Sequence, residues 1–284
     1  MSFFSNLFGS KPAAVVAEPP APVSPTPAVK PQPSKSPLEM FAAGERPSST
    51  LDFVKKYETQ NPSLLNFAKT AAISLVKNNL TTVKANVVIV LDASGSMTSQ
   101  YGSGAVQGVL DRVVPLATHF DPDGILECHA FACKTRQMPS ITLTTIADYV
   151  KNVSLSRAGS GVGIGFSNDE PKVIHEVIAN HKNETNGLPT YVIFISDGGV
   201  YKDAEITKLI RQASTENIFW QFVGLGGSNY GILEHLDTMS GRAVDNCNFF
   251  EVDSLSSITD EQLYDKLLTE FPNWIKDYQA YCNR

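Results

Sequence analysis

The sequence predicts a doubly wound α/β domain, a mostly parallel, Rossmann-like sheet with helices on both faces. Three observations predict it. Apolar stretches of strand length alternate with apolar residues at helical spacing from about residue 61 to the C-terminus. Two of the strand-length stretches, 87–91 and 191–195, are apolar without a break, the pattern of a strand buried on both faces. Each leads into an aspartate at its carboxyl end, Asp92 directly and Asp197 after Ser196. Sheets of this kind bind ligands at the carboxyl ends of the strands, where strand order reverses.

The elements follow in order. Asn61-Pro62 reads as a helix cap with proline at the first helical position. Leu64, Leu65, Ala68, Ala71, Ala72, Leu75 and Val76 then recur at helical spacing. A strand over 86–91 comes next, and Val106, Val109, Leu110, Val113, Val114 and Ala117 predict a helix. Residues 125–131 read as a strand and 146–150 as a short helix. A helix over 171–181 is opened by Asp169, Glu170 and a proline. The strand over 191–195 precedes a helix over 203–214, with Ile206, Leu209, Ile210 and Ala213 on one face. A strand over 218–225, a helix over 230–239 and a short strand over 248–252 follow. From Asp260 the chain reads as helical, with a break at Pro272.

Bulk properties narrow the function. With 284 residues, 42% hydrophobic and 18% charged, the chain can bury a sizeable core. A net charge of −6 and no Lys/Arg run argue against nucleic-acid binding. Residues 1–48 hold ten of the 17 prolines and read as a disordered Pro/Ala-rich arm, leaving 49–284 as the folded domain with an N-terminal helical extension. Phe3, Phe4, Leu7 and Phe8 at the tip are either a loose end or a docking motif for a partner or a membrane surface. No apolar run is long enough for a transmembrane segment, no signal peptide is evident, and Ser2 excludes myristoylation. Cys128, Cys133, Cys247 and Cys282 fit no zinc or redox spacing and read as free thiols. The expectation is a soluble, cytoplasmic protein.

The chemistry concentrates at Asp92-Ala93-Ser94-Gly95-Ser96. Alternate residues of an extended turn can point one way, so this string offers one carboxylate and two hydroxyls to a common point, with Gly95 allowing a tight turn. These are hard oxygen donors of the kind Mg²⁺ prefers, and Asp197 on a neighbouring strand end adds a second carboxylate. The competing reading is that Ser94 and Ser96 cap a helix starting near Gly104 and that Asp197 caps the next one. Gly159, Gly161, Gly163 and Gly165 lack the spacing and the Lys of a phosphate loop and read as a flexible loop beside the site. His119, His129, His175, His181 and His235 read as core or surface histidines. Asp169, Glu170, Asp203 and Glu205 fall in first helical turns, where they favour the helix dipole.

Residues 90–97, Val-Leu-Asp-Ala-Ser-Gly-Ser-Met, resemble the first motif of the metal-ion-dependent adhesion site of von Willebrand factor A-type (vWA) domains. Ile195-Ser196-Asp197-Gly198-Gly199 is similar to that family's third motif. Residues 219–227, Phe249-Phe250, 263–268 and 270–274 resemble the subgroup found in bacterial tellurium-resistance (TerF-like) proteins, so the resemblance covers roughly 50–284. It implies a Mg²⁺ site, or one for Mn²⁺ or Ca²⁺, held by Asp92, Ser94, Ser96 and Asp197, whose open position accepts a Glu or Asp carboxylate of a protein partner. The family's second motif supplies a threonine before a helix. Here Ser167 in Gly165-Phe166-Ser167-Asn168 takes that place, with Asn168 and Ser160 as alternatives.

The function expected is a metal-dependent protein-interaction module, by resemblance in a bacterial tellurium or stress-resistance system. A Mg²⁺-dependent phosphohydrolase or nucleotide-binding enzyme is the first alternative, but position 94 is Ser where such enzymes carry a second Asp, and no Lys or His stands ready to activate a nucleophile. Catalysis is therefore not expected. A metal-free scaffold with a degenerate site is the second alternative.

Overall fold

The computed structural model describes residues 50–284. The expected arm over 1–48, with its apolar tip, lies outside the described residues. The described chain opens with α1 (Thr50–Gln60), a 3₁₀ turn (Pro62–Leu64) and α2 (Leu65–Lys77). Then follow β1 (Asn86–Asp92), α3 (Thr98–Gly102), α4 (Ala105–Phe120), β2 (Leu126–Phe131) and β3 (Thr135–Ile141). Short helices α5 (Tyr149–Asn152) and α6 (Ala158–Val162) lead to α7 (Glu170–His181) and β4 (Thr190–Gly198). The chain ends with α8 (Asp203–Ala213), β5 (Ile218–Asn229), α9 (Leu233–Leu236), β6 (Cys247–Val252), α10 (Asp260–Leu268) and α11 (Phe271–Cys282).

The six strands form one sheet in the order β3-β2-β1-β4-β5-β6. Every pairing is parallel except β2 with β3. From β1 the chain winds outward to β2 and β3, then returns to the centre and winds the other way through β4, β5 and β6. The switch point lies between β1 and β4, whose carboxyl ends carry Asp92 and Asp197.

Period-two alternation divides the strands between two layers. Val87, Ile89 and Leu91 of β1 and Tyr191, Ile193 and Ile195 of β4 face a core shared with α1, α2, α4, α10 and α11. Val88 and Val90, with Val192 and Phe194, face a second core with α7, α8 and α9. In the first core Phe271 of α11 packs against Phe120, Tyr191, Phe219 and Trp274, with ring centroids 4.6–5.7 Å apart.

The structure departs from the sequence expectation in several places: α3 and α6 lie where no helix was expected, and the helix expected over 146–150 begins only at Tyr149. β3 was not expected: only Met138 and Ile141 of its seven residues are buried, and it contains Pro139, tolerable on an edge strand. The helix expected over 230–239 is confined to Leu233–Leu236, because Gly231 has a φ of 56° and breaks its start. The break expected at Pro272 falls just before it, at 269–270, and the proline opens α11.

Candidate metal centre

Asp92 is the last residue of β1 and is fully buried. Its parity with Val88 and Val90 turns its side chain to the face that α7 covers. One carboxylate oxygen accepts the amide of Ser94 at 2.8 Å. The other accepts the hydroxyl of Ser196 at 2.6 Å, across the switch point. Tyr101, the buried residue of α3, donates its hydroxyl to the Asp92 carbonyl at 2.9 Å.

Past Asp92 the chain turns sharply and the donors line up. Ser94 Oγ and Ser96 Oγ lie 3.0 Å apart, and Ser96 Oγ donates to Asp197 Oδ1 at 2.8 Å. Asp197 stands where the β4–β5 register shifts, between Ser196 and Gly198. The shift depends on glycine: Gly198 has a φ of 93°, and a Cβ there would meet the Asn229 carbonyl at 2.3 Å. The first turn is braced from three sides. Ala93 donates to the Phe131 carbonyl at 2.8 Å, Gly95 to the Phe166 carbonyl at 2.7 Å, and Gly159 to the Ala93 carbonyl at 2.5 Å. Gly159 is required for that approach, since a Cβ would lie 2.3 Å from the Gly165 carbonyl oxygen and 2.6 Å from that of Ala93. The glycine-rich segment is thus a packing brace for the Asp92 turn.

Burial is the largest influence on Asp92 and raises its carboxyl to about 6, against the hydrogen bonds from Ser196 and Ser94, which lower it. The Asp197 charge raises it further. Burial also raises Asp197, offset in part by the Ser96 hydroxyl. Two carboxylates of like charge are held in a partly desolvated site, where a cation would stabilise both.

The structure brings Asp92, Ser94, Ser96 and Asp197 into one continuous hydrogen-bonded chain. The helix near Gly104 does not use Ser94 or Ser96 as caps, for Gly104 itself precedes α4 and no side chain caps it. Ser167 is exposed on the adjoining loop, with its amide 3.3 Å from Cys133 Sγ and its hydroxyl engaged with the same thiol. No hydrogen bond joins it to the other four among the described residues. Asn168 turns away, donating to the carbonyls of Gly198 and Gly199 at 3.0 and 3.4 Å, so it ties the second loop to the third. Ser160 is exposed and bonds the Arg157 carbonyl.

Three participants escaped sequence reasoning. Ser196 holds Asp92 from the neighbouring strand, and its place beside Asp197 at a strand end was the available signal. Tyr101 acts through its hydroxyl, which helical periodicity does not reveal. Glu170 falls in the first turn of α7 as expected, but it is 1% exposed, a burial the sequence did not reveal. Asp169 beside it pairs with Lys172 and Lys202 at 2.8 and 2.6 Å.

The donor set fits a hard divalent cation. All its atoms are oxygens. An octahedron with metal–oxygen distances of about 2.1 Å has neighbouring oxygens about 3 Å apart, and the 3.0 and 2.8 Å separations through Ser96 match that edge. Each Asp92 oxygen keeps lone-pair capacity beyond its one hydrogen bond. Elsewhere Asp237, Asp245 and Glu270 also bring carboxylates together. There the Arg242 guanidinium already pairs with Asp245 and bonds the Asp237 carbonyl.

Residues 84–282 match the family described as vWA found in the TerF C terminus, vWA-TerF-like. The chain is 36% identical over 215 residues to YcbR of Bacillus subtilis (strain 168), an uncharacterized protein, covering 74% of this chain and 85% of that one. Among solved structures it is similar to proximal thread matrix protein 1 of the mussel byssus, at 16% identity and TM-score 0.47, over 66% of this chain and 47% of that one. It is also similar to a von Willebrand factor type A from Catenulispora acidiphila, at 13% identity and TM-score 0.38, over 66% of this chain and 42% of that one. The manganese-loaded TRAP protein of Plasmodium vivax gives 15% identity and TM-score 0.44, over 64% of this chain and 73% of that one. The chain thus spans less than half the length of the mussel and Catenulispora proteins.

Proposed function

The chain belongs to the TerF-like vWA family, and from that premise we propose that it is a protein-interaction module whose site holds a divalent cation, Mg²⁺ by preference, and recruits an acidic side chain of a partner protein. The observation that carries this reading is the hydrogen-bonded chain from Asp92, through the Ser94 amide and then the Ser94 and Ser96 hydroxyls, to Asp197 at the switch point of the sheet. Asp92, Ser94, Ser96 and Asp197 are the residues proposed to hold the ion, with Ser167 from the second loop. When bound, the ion supplies Lewis acidity toward an anionic oxygen.

The chain's own residues fix how open such a site is. Ser196 and the Ser94 amide orient Asp92, and Ser94 is buried whereas Ser96 is exposed, so the donors run from the sheet outward to solvent. Lys172 and Lys202 are held on Asp169, which leaves an incoming carboxylate to be drawn mainly by the cation. Binding rather than catalysis is supported by Asp92 itself: both its oxygens accept hydrogen bonds within 2.8 Å, an arrangement suited to a fixed ligand rather than an attacking nucleophile. The cellular setting we propose is a bacterial, cytoplasmic tellurium or stress-resistance system; the TerF of the family's description suggests the tellurium part of it.

Capture of partner proteins on the immobilised full chain, in magnesium and in EDTA, tests the interaction. The expected result is a partner retained in magnesium, released by EDTA and not captured by Ser96→Ala. Capture that is indifferent to EDTA and to Ser96→Ala contradicts the reading.

A further inference from the structure

The carboxylate of Glu170 has no cationic partner among the described residues. Both its oxygens are buried, and neither accepts a hydrogen bond among the described residues. Its own amide and the Asn168 carboxamide approach it and lower its carboxyl, but neither brings a compensating charge, and the carboxamide is shared with the carbonyls of Gly198 and Gly199. The lysines at this edge are taken by Asp169. An acid in a first helical turn ordinarily reaches solvent; this one is 1% exposed. Buried polar atoms are nearly always paired, and buried carboxylates compensated by charge.

The layers of the fold set where it lies. Val173, Ile174 and Val177 of α7 pack on the sheet face to which Val88, Val90, Val192 and Phe194 point. Asp92 and Ser196 have the parity of that face, at its carboxyl edge, and the 2.6 Å bond between them joins them there. The loop entering α7 is pinned to the same edge by the Phe166–Gly95 bond and by Asn168 on Gly198. Glu170, opening α7, comes to lie on the Asp92 side of the sheet. Burial is the main influence raising its carboxyl, to about 7, and the Asp92 charge adds to it.

We propose that Glu170 is a positioning residue behind the cation site, a buried carboxylate on the Asp92 side of the sheet that is not itself a ligand and whose charge a bound divalent cation compensates. The inference rests on the cation reading above and extends it. Asp92 and Asp197 alone balance the two charges of the ion. Glu170 adds a third, which strengthens retention of the ion and weakens its remaining pull on a partner's carboxylate. It therefore sets the balance between holding the cation and recruiting an acidic partner.

The test is a calorimetric titration of magnesium chloride into the full chain and its Asp92→Asn, Glu170→Gln and Glu170→Ala variants, with melting temperatures taken in EDTA. Binding to wild type, none to Asp92→Asn, and binding at least about tenfold weaker in both Glu170 variants is the expected pattern, a size typical of residues that act behind direct ligands. Glu170→Gln is also expected to melt in EDTA at or above the wild-type temperature, because it removes an uncompensated buried charge. Should Glu170→Gln fold and bind as tightly as wild type while Asp92→Asn is silent, this proposal fails and the cation reading stands. Should Glu170→Gln fail to fold, equal affinities for Glu170→Ala and wild type overturn the proposal in the same way. A wild-type chain that gives no binding heat overturns both.

Discussion

At the scale of single residues, the site separates cation binding from folding. Ser96 is exposed, and among the described residues its side chain bonds only those of Ser94 and Asp197. Ser96→Ala is therefore expected to change stability in EDTA by no more than about 0.5 kcal/mol, yet to lose most of the stabilisation by magnesium, as thermal melts in the two buffers would reveal. A second residue-scale prediction lies away from the site. Glu127 of β2 is bonded to His129 at 2.6 Å, and His181 Nε2 lies 3.3 Å away; these two imidazoles, His129 first, pull its carboxyl down to about 2. A depressed carboxylate contributes stability above its unfolded value, near 4.5, and loses it as pH falls toward 2. Glu127→Gln should thus destabilise by about 2 kcal/mol at pH 7, and urea unfolding should show the gap narrowing between pH 5 and pH 3; a constant gap contradicts the assignment. Asp92, Ser94, Ser96 and Asp197 were legible because backbone pattern alone sets strand ends and alternate turn positions. Ser196, Tyr101 and the inward turn of Glu170 were not, since each depends on which element packs against which.

At the scale of elements, the braces of the Asp92 turn matter more than its own sequence. Gly159 passes between the carbonyls of Gly165 and Ala93, so Gly159→Ala forces backbone apart and is expected to cost about 1–3 kcal/mol. It should weaken magnesium binding as well, because Gly159 holds Ala93 inside the first motif. Thr259→Ala is the contrasting variant. It removes the capping box of α10, formed by Thr259 and Gln262, and should cost about 1 kcal/mol with magnesium affinity unchanged. Calorimetry on the two variants separates these effects, and equal losses of affinity would count against the bracing role. The readable elements were those whose pattern is local: the uninterrupted runs of β1 and β4, and the periodic α4 and α8. β3 was hidden because an edge strand with two buried positions carries almost no alternation.

At the scale of the whole molecule, the two cores allow the carboxyl edge to hold groups that do not suit burial. Each fully buried Val, Ile or Phe contributes about 1.5–3 kcal/mol, and the central strands supply many of them. That surplus keeps Asp92 and Glu170 out of water at a cost that the proposed cation would relieve. Saturating magnesium should therefore stabilise the entire domain, by about 2.7 kcal/mol at a hundredfold excess over Kd, with a single cooperative melt moving upward. The switch-point order was implied by the strand–helix alternation; which strands flank it could not be read from local pattern, because order within a sheet is a tertiary choice. The central claim is the position of the cation, and anomalous diffraction from crystals grown with manganese tests it most directly. A peak bonded to Ser94 Oγ and Ser96 Oγ beside Asp92 and Asp197 is the predicted result. Its absence there, or a peak only among Asp237, Asp245 and Glu270, would contradict the account.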